Sequence, residues 1–214
     1  MKRFDSLMFD MDGTLWDAVD SYCTIWNETL RECGVKSKEI TRPELIRMMG
    51  TPLDGIIAEL VPEHAGDPYF TDMLEANESK MMPRLGGRLY SGAAETIKTL
   101  AADYKLFMVS NCGRDGLPNF LKFTGLEPYF TDCISYGDTE RGKDVNIATL
   151  MERYNLKAPL YIGDTAGDLR ASHAAGIPFA WAAYGFGCGI SGQDFTLAEI
   201  SELPQLILKD NDPS

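Results

Sequence analysis

A set of short, unbroken apolar runs constrains this chain more than any other feature. They are Leu7-Met8-Phe9, Leu106-Phe107-Met108-Val109, Cys133-Ile134, Leu160-Tyr161-Ile162 and Ile177 to Ala183. Runs this short that do not alternate with polar residues suit strands covered on both faces, as in a parallel sheet. Helical patterns lie between the later runs. One begins near Ser91 with Ala94, Ile97, Leu100 and Ala101 on one face; another passes through Val145, Ala148, Leu150, Met151 and Tyr154. This alternation predicts an α/β, doubly wound, Rossmann-like parallel sheet. In the tail, Thr196 to Glu199 fits a capping box and Phe195 to Leu197 fits a short edge strand, and both readings stay open.

The first two runs are too far apart for a simple strand–helix–strand unit. Asp12 and Ser110 are roughly 100 residues apart, whereas such a unit needs about 30. An insert of about 70 residues must therefore leave the core and return to it. Its pattern is helical. Val19, Tyr22, Cys23, Trp26, Leu30 and Cys33 share one stripe, with Gly34 placed as a stop. Thr41-Arg42-Pro43-Glu44 fits a capping box, and Thr51-Pro52 and Asp67-Pro68 place proline at helix starts. The expected organisation is a core of residues 1–15 and 87–214 carrying a small helical domain of residues 16–86, with Gly86-Gly87 as the exit hinge.

Composition narrows the function. The 214 residues hold 20 Lys and Arg against 32 Asp and Glu, a formal charge of −12. A nucleic-acid partner is not expected, because phosphate contacts need clustered cations. The 5 cysteines match no metal or redox spacing and read as free thiols in a reducing compartment. Asp5 and Asp10 interrupt any leader-like apolar stretch, and Ile177 to Ile190 is too short and too rich in glycine to span a bilayer. The expectation is a cytoplasmic protein without a membrane partner, monomeric or a small homo-oligomer.

The strand ends carry the chemistry. The first run continues as Asp10-Met11-Asp12-Gly13-Thr14, the second ends in Ser110-Asn111, Gly142-Lys143 follows the third at a helix start, and the fourth continues as Gly163-Asp164-Thr165-Ala166-Gly167-Asp168. Ligands of open α/β sheets bind at the carboxyl ends of the strands. Carboxylates converging there need a cation among them. Hard oxygen donors without His or Cys suit Mg²⁺, and one lysine plus one hydroxyl suit a phosphoryl group.

On these four motifs, taken in order, the chain resembles phosphohydrolases of the haloacid dehalogenase superfamily, similar to phosphoglycolate-phosphatase-like members that carry a helical cap after the first motif. The resemblance implies that Asp10 is the nucleophile that forms an aspartyl-phosphate and Asp12 the general acid/base. It implies that Ser110, the Asn111 backbone N–H and Lys143 hold the phosphoryl group. Mg²⁺ would take the Asp10 carboxylate, the Asp12 main-chain carbonyl, Asp164 and Asp168, the last directly or through water. The substrate would be a small phosphorylated metabolite. Asp12 separates these proteins from dehalogenating members, which lack this acid and use no metal. Phosphoryl transfer to a sugar hydroxyl, as in β-phosphoglucomutase-like members, pyrophosphate hydrolysis and a non-catalytic binding role remain alternatives.

Other residues have plainer readings. Asp144 stands where related phosphatases often have proline, and Trp16 fills a position usually small or polar, where it would narrow the entrance. His64 and His173 read as structural residues. Cys112 has no histidine placed to activate it. Met48-Met49 and Met81-Met82 read as packing residues, and Arg47 as either a solvated cation or a ligand for a distal anion.

Overall fold

The computed structural model describes residues 3–209. The chain starts with strand β1 (Ser6–Phe9) and leaves the sheet through β2 (Trp16–Asp17). Helices α1 (Val19–Glu32), α2 (Arg42–Met48), α3 (Leu53–Leu60) and α4 (Pro68–Leu85) follow, and β3 (Arg88–Leu89) brings the chain back. The core then alternates: α5 (Ala93–Ala101), β4 (Lys105–Ser110), α6 (Gly116–Thr124), β5 (Asp132–Ser135), α7 (Tyr136–Thr139), α8 (Lys143–Tyr154), β6 (Pro159–Gly163), α9 (Ala166–Ala174), β7 (Phe179–Ala182), β8 (Phe195–Leu197) and α10 (Leu203–Lys209).

Six strands form one parallel sheet in the order β5-β4-β1-β6-β7-β8. Leu7, Phe9, Leu106, Met108, Leu160 and Ile162 pack into one apolar layer, while Met8, Phe107, Val109 and Tyr161 pack into the other. Both faces are therefore covered, which is why these strands read as unbroken apolar runs. The chain moves outward from β1 to β4 and β5, then crosses to β6 and moves the other way. The strand order thus reverses between β1 and β6, and a crevice forms at their carboxyl ends.

The four inserted helices are held by local devices. In α1 the buried stripe is Val19, Ile25, Trp26, Thr29 and Leu30, and Gly34 ends the helix at φ +78°. The α2 start is a capping box in which Thr41 N donates to Glu44 at 2.9 Å. Asp67 caps α4 by accepting from Tyr69 N at 3.0 Å. The neck is a two-stranded antiparallel ribbon in which Trp16 faces Leu89 and Asp17 faces Arg88. Arg42 of α2 pairs with Asp17, and with Asp20 at 3.1 Å, tying the first helices to that ribbon.

Several local expectations shift. The tail segment Phe195–Leu197 is the edge strand, paired to β7. The buried face of α8 is Lys143, Asn146, Ile147 and Leu150, whereas Val145 and Ala148 are exposed. Its inward positions include a lysine and an asparagine, which an apolar-periodicity reading passes over. After Ser110-Asn111 a turn intervenes before α6 starts at Gly116. All five cysteines are free. No helix among the described residues is long and apolar enough to cross a membrane.

Candidate active site

Asp10 follows β1, where its backbone N–H donates to the Ile162 carbonyl of β6 at 2.9 Å. This bond sets Asp10 at the reversal crevice, and Asp164 follows β6 on the other side of it. Oxygens of Asp10, Asp164 and Asp168 lie within 4.8 Å of one another, and all three residues are buried. Lys143 Nζ reaches Asp10 Oδ1 at 3.0 Å and Asp168 Oδ1 at 2.6 Å. Tyr161 lies behind that lysine, its ring 5.7 Å from Nζ and its hydroxyl donating to the Val109 carbonyl at 2.8 Å. Lys143 thus pairs with two of the three clustered carboxylates, Asp10 and Asp168, so a second cation is the natural complement of the cluster.

Asp168 has a further duty. Its Oδ2 accepts from Thr165 N at 2.9 Å and from Thr165 Oγ1 at 2.7 Å, forming the capping box of α9. One oxygen caps the helix while the other holds Lys143, which fixes the carboxyl group from both ends. Asp164 is held differently. Phe186 N donates to its Oδ2 at 2.8 Å, Thr14 Oγ1 to its Oδ1 at 3.4 Å, and Trp181 Nε1 to its carbonyl at 3.1 Å. The loop Tyr184 to Gly187 therefore builds the site, although sequence reasoning missed it. The signal was the Gly185-Phe186-Gly187 triplet just past the β7 run: a Cβ on Gly187 would sit 2.0 Å from the Asp164 carbonyl oxygen. Gly13 is equally constrained. It has φ +82°, and a Cβ there would lie 2.2 Å from Asp164 Oδ2.

Asp12 is turned away from the three-carboxylate cluster. Trp16 Nε1 donates to its Oδ1 at 2.9 Å and the Tyr22 hydroxyl to its Oδ2 at 3.3 Å. Trp16 does not narrow an entrance. It is buried and meets Phe120 edge-on at 5.0 Å between ring centres. Burial pushes the Asp12 carboxyl well above the usual range, with Asp10 and Glu78 adding to the effect. Burial also raises Asp10, to about 6, against the opposing pull of Lys143. Asp164 is pushed up by burial and by the charges of Asp168 and Asp10.

Asp10, Asp12, Ser110 and Asn111 line one cavity, which encloses about 680 Å³ of empty space including its mouth. Lys143 and Asp168 border a neighbouring opening that shares Gly50 and Asn111 with it. Ser110 is buried and its Oγ accepts from Cys112 N at 3.4 Å. Asn111 Nδ2 donates to the Gly50 carbonyl at 2.8 Å, joining the core to the helical insert, while its buried Oδ1 has no partner among the described residues. Tyr22, Trp26 and Glu78 line the same cavity from the insert, and the sequence reading named none of them as functional. Met49, Thr51 and Leu53 line it too, from the segment after α2. Arg47 is exposed and lies off the cavity wall. Burial pushes the Cys112 thiol far up, the opposite of an activated nucleophile. His64 stacks on Phe70 at 4.5 Å.

The model for haloacid dehalogenase-like hydrolases matches residues 7–182. The chain belongs to this family. Among curated relatives of the haloacid dehalogenase-like chain, a phosphoglycolate phosphatase of Photobacterium profundum is 27% identical, covering 97% of this chain and 98% of its own. Pyrophosphatase PpaX of Listeria welshimeri is 26% identical, covering 96% and 97%. Among solved structures, SP0104 of Streptococcus pneumoniae, a haloacid dehalogenase-like family protein, superposes with a TM-score of 0.84 at 19% identity, over 96% of this chain and 99% of that one. A predicted phosphoglycolate phosphatase of Haemophilus somnus gives 0.83 at 20% identity, with the same coverage of both chains. These structures share the α/β core with its helical cap.

Proposed function

We propose that this haloacid dehalogenase-like hydrolase is a Mg²⁺-dependent phosphatase of small phosphomonoesters that works through an aspartyl-phosphate on Asp10. The observation that carries the reading is the placement of two buried acids with different surroundings on the wall of one cavity. Asp10 is paired with Lys143 at 3.0 Å, and Asp12 is held apart by Trp16 at 2.9 Å. The relatives named phosphoglycolate phosphatase support the activity, and those named pyrophosphatase make pyrophosphate a substrate to test beside it.

The chain's residues divide the work. Asp10 attacks phosphorus as the ester P–O bond breaks, and Asp12, kept protonated by its buried setting, gives its proton to the leaving oxygen. Water then attacks the acyl phosphate. Asp12 takes its proton, the bond to Asp10 breaks, and inorganic phosphate leaves with the carboxylate restored. A carboxylate approaching a phosphate dianion meets a repulsion of about 8 kcal/mol at 4 Å and an effective dielectric of 20. Lys143 offsets part of it, and Ser110 and the Asn111 N–H would hold the phosphoryl oxygens.

The donor set fits a hard divalent cation: Asp10, Asp164 and Asp168 supply carboxylate oxygens alone, with no nitrogen or sulfur donor. With the Asp12 main-chain carbonyl they would hold Mg²⁺, which would neutralise phosphoryl charge. Residues 16–86 would act as the cap that excludes water, on a core of residues 1–15 and 87–214. The cytoplasm is the proposed compartment.

The test is acid quench of enzyme with Mg²⁺ and ³²P-labelled substrate. The expected result is label on the peptide containing Asp10. Rapid turnover with no labelled enzyme at any quench time would defeat the mechanism.

A further inference from the structure

The cavity has two ends of opposite chemistry. At the phosphoryl end lie Asp10, Asp12 and Ser110, with Lys143 in the neighbouring opening, already engaged by Asp10 and Asp168. The opposite wall comes from the inserted helices: Tyr22 and Trp26 of α1, Met49 after α2, Ile56 of α3 and Glu78 of α4. No lysine or arginine is among the described residues that line this cavity. Glu78 makes no side-chain hydrogen bond and no ion pair among the described residues. Burial with the charges of Glu75 and Asp115 pushes its carboxyl up to about 7, and it faces Asp12 across the cavity wall, an acid whose carboxyl it helps to raise. The groove continuing outward adds Asp54 and Glu140, with Arg114 as the one cation among its described lining residues.

A substrate with a carboxylate or second phosphate on its leaving group would place that anion against apolar side chains and beside Glu78. An unpaired anion taken out of water there is strongly disfavoured. A positively charged nitrogen meets the opposite situation. It would supply the donor that Glu78 lacks, and the faces of Trp26 and Tyr22 are favourable surroundings for a cation. Asp12, which serves the leaving oxygen, lines the same cavity and accepts from the Tyr22 hydroxyl at 3.3 Å, so a nitrogen seated beside Tyr22 lies a short way from the ester oxygen.

Resting on the phosphatase reading above, we propose that the preferred substrate is the phosphomonoester of a short amino alcohol, with its ammonium group held by Glu78 between Trp26 and Tyr22. This departs from the substrates that the names of the relatives carry, both of which present an anion at that end.

The experiment compares kcat/KM, with Mg²⁺, for three esters of similar size: O-phosphoethanolamine, glycerol 1-phosphate and phosphoglycolate, with p-nitrophenyl phosphate as a reference. The expected order is cationic, then neutral, then anionic, with about tenfold or more between the first and last. Glu78→Gln should lower the phosphoethanolamine-to-phosphoglycolate ratio about fivefold or more. Glu78→Lys should invert the preference, and melting curves verify that both variants are folded. A wild-type preference for phosphoglycolate, or a ratio unmoved in folded Glu78→Gln, overturns the inference while leaving the phosphatase reading intact. Failure to hydrolyse any of the four compounds overturns both.

Discussion

The indole N–H of Trp16 is bonded to the carboxylate of Asp12 at 2.9 Å, four residues earlier in the chain. The two are brought together because Gly13 turns the backbone at φ +82° and β2 then starts at Trp16, so the indole folds back over the loop. The residue that opens the helical insert thus also orients the acid that would serve the leaving group.

Trp16→Phe keeps the aromatic packing on Phe120 and removes the donor. A hydrogen bond to a charged group contributes about 1.5–3 kcal/mol, so kcat should fall roughly 10- to 100-fold. The bond favours the ionised form of Asp12, so its loss raises that group further. Both limbs of the kcat–pH profile should move to higher pH. An unshifted profile would show that Trp16 has only a packing role.

Asp10→Asn retains the shape of the side chain and removes the attacking carboxylate. Activity should drop by about 10⁴-fold or more, with a melting temperature close to that of the parent. Steady-state phosphate release on the variant checks this, with circular dichroism as the folding control.

Chelation tests the carboxylate cluster. EDTA should abolish turnover and added Mg²⁺ restore it, because Lys143 alone cannot balance Asp10, Asp164 and Asp168. Full activity after exhaustive chelation would remove the metal from the mechanism.

Gly13→Ala demands positive φ from a residue with a Cβ and drives that Cβ to 2.2 Å from Asp164 Oδ2. The expected cost is about 2 kcal/mol or more of stability, with the Mg²⁺ requirement rising roughly tenfold. Urea melts and a Mg²⁺ titration of activity measure the two effects.

Glu78 gives a pH signature. Its carboxyl is raised to about 7 from 4.5, so the folded state binds its proton more tightly than the unfolded chain does. The associated stability is present below pH 4.5 and is lost as pH rises through 7. Glu78→Gln should therefore melt about 2–4 °C higher than the parent at pH 8, with the gain vanishing near pH 4.5. Equal gains at both pH values would disprove the shift.

The sheet, its inserted helices and the acids at its edge were legible in the chain because their causes are local. A strand buried on both faces must be apolar along its length, as Leu160-Tyr161-Ile162 is, and a helix entered at Thr41 announces itself through Glu44. Strand ends in such a sheet face one crevice, so Asp10, Ser110, Lys143 and Asp164 could be singled out by position alone. Contacts between distant segments carry no such periodic mark. That Lys143 lies between Asp10 and Asp168 depends on β6 pairing beside β1 and on α8 turning a lysine inward, where apolar periodicity pointed to Val145. That Phe186 covers Asp164, and that Glu78 enters the cavity without a partner among the described residues, follow from how a loop and a helix pack on the finished sheet. Local pattern decided which segments become strands and helices, because backbone pairing and burial repeat along the chain. Packing decided which charges meet, because that depends on distances the chain acquires only once it has folded.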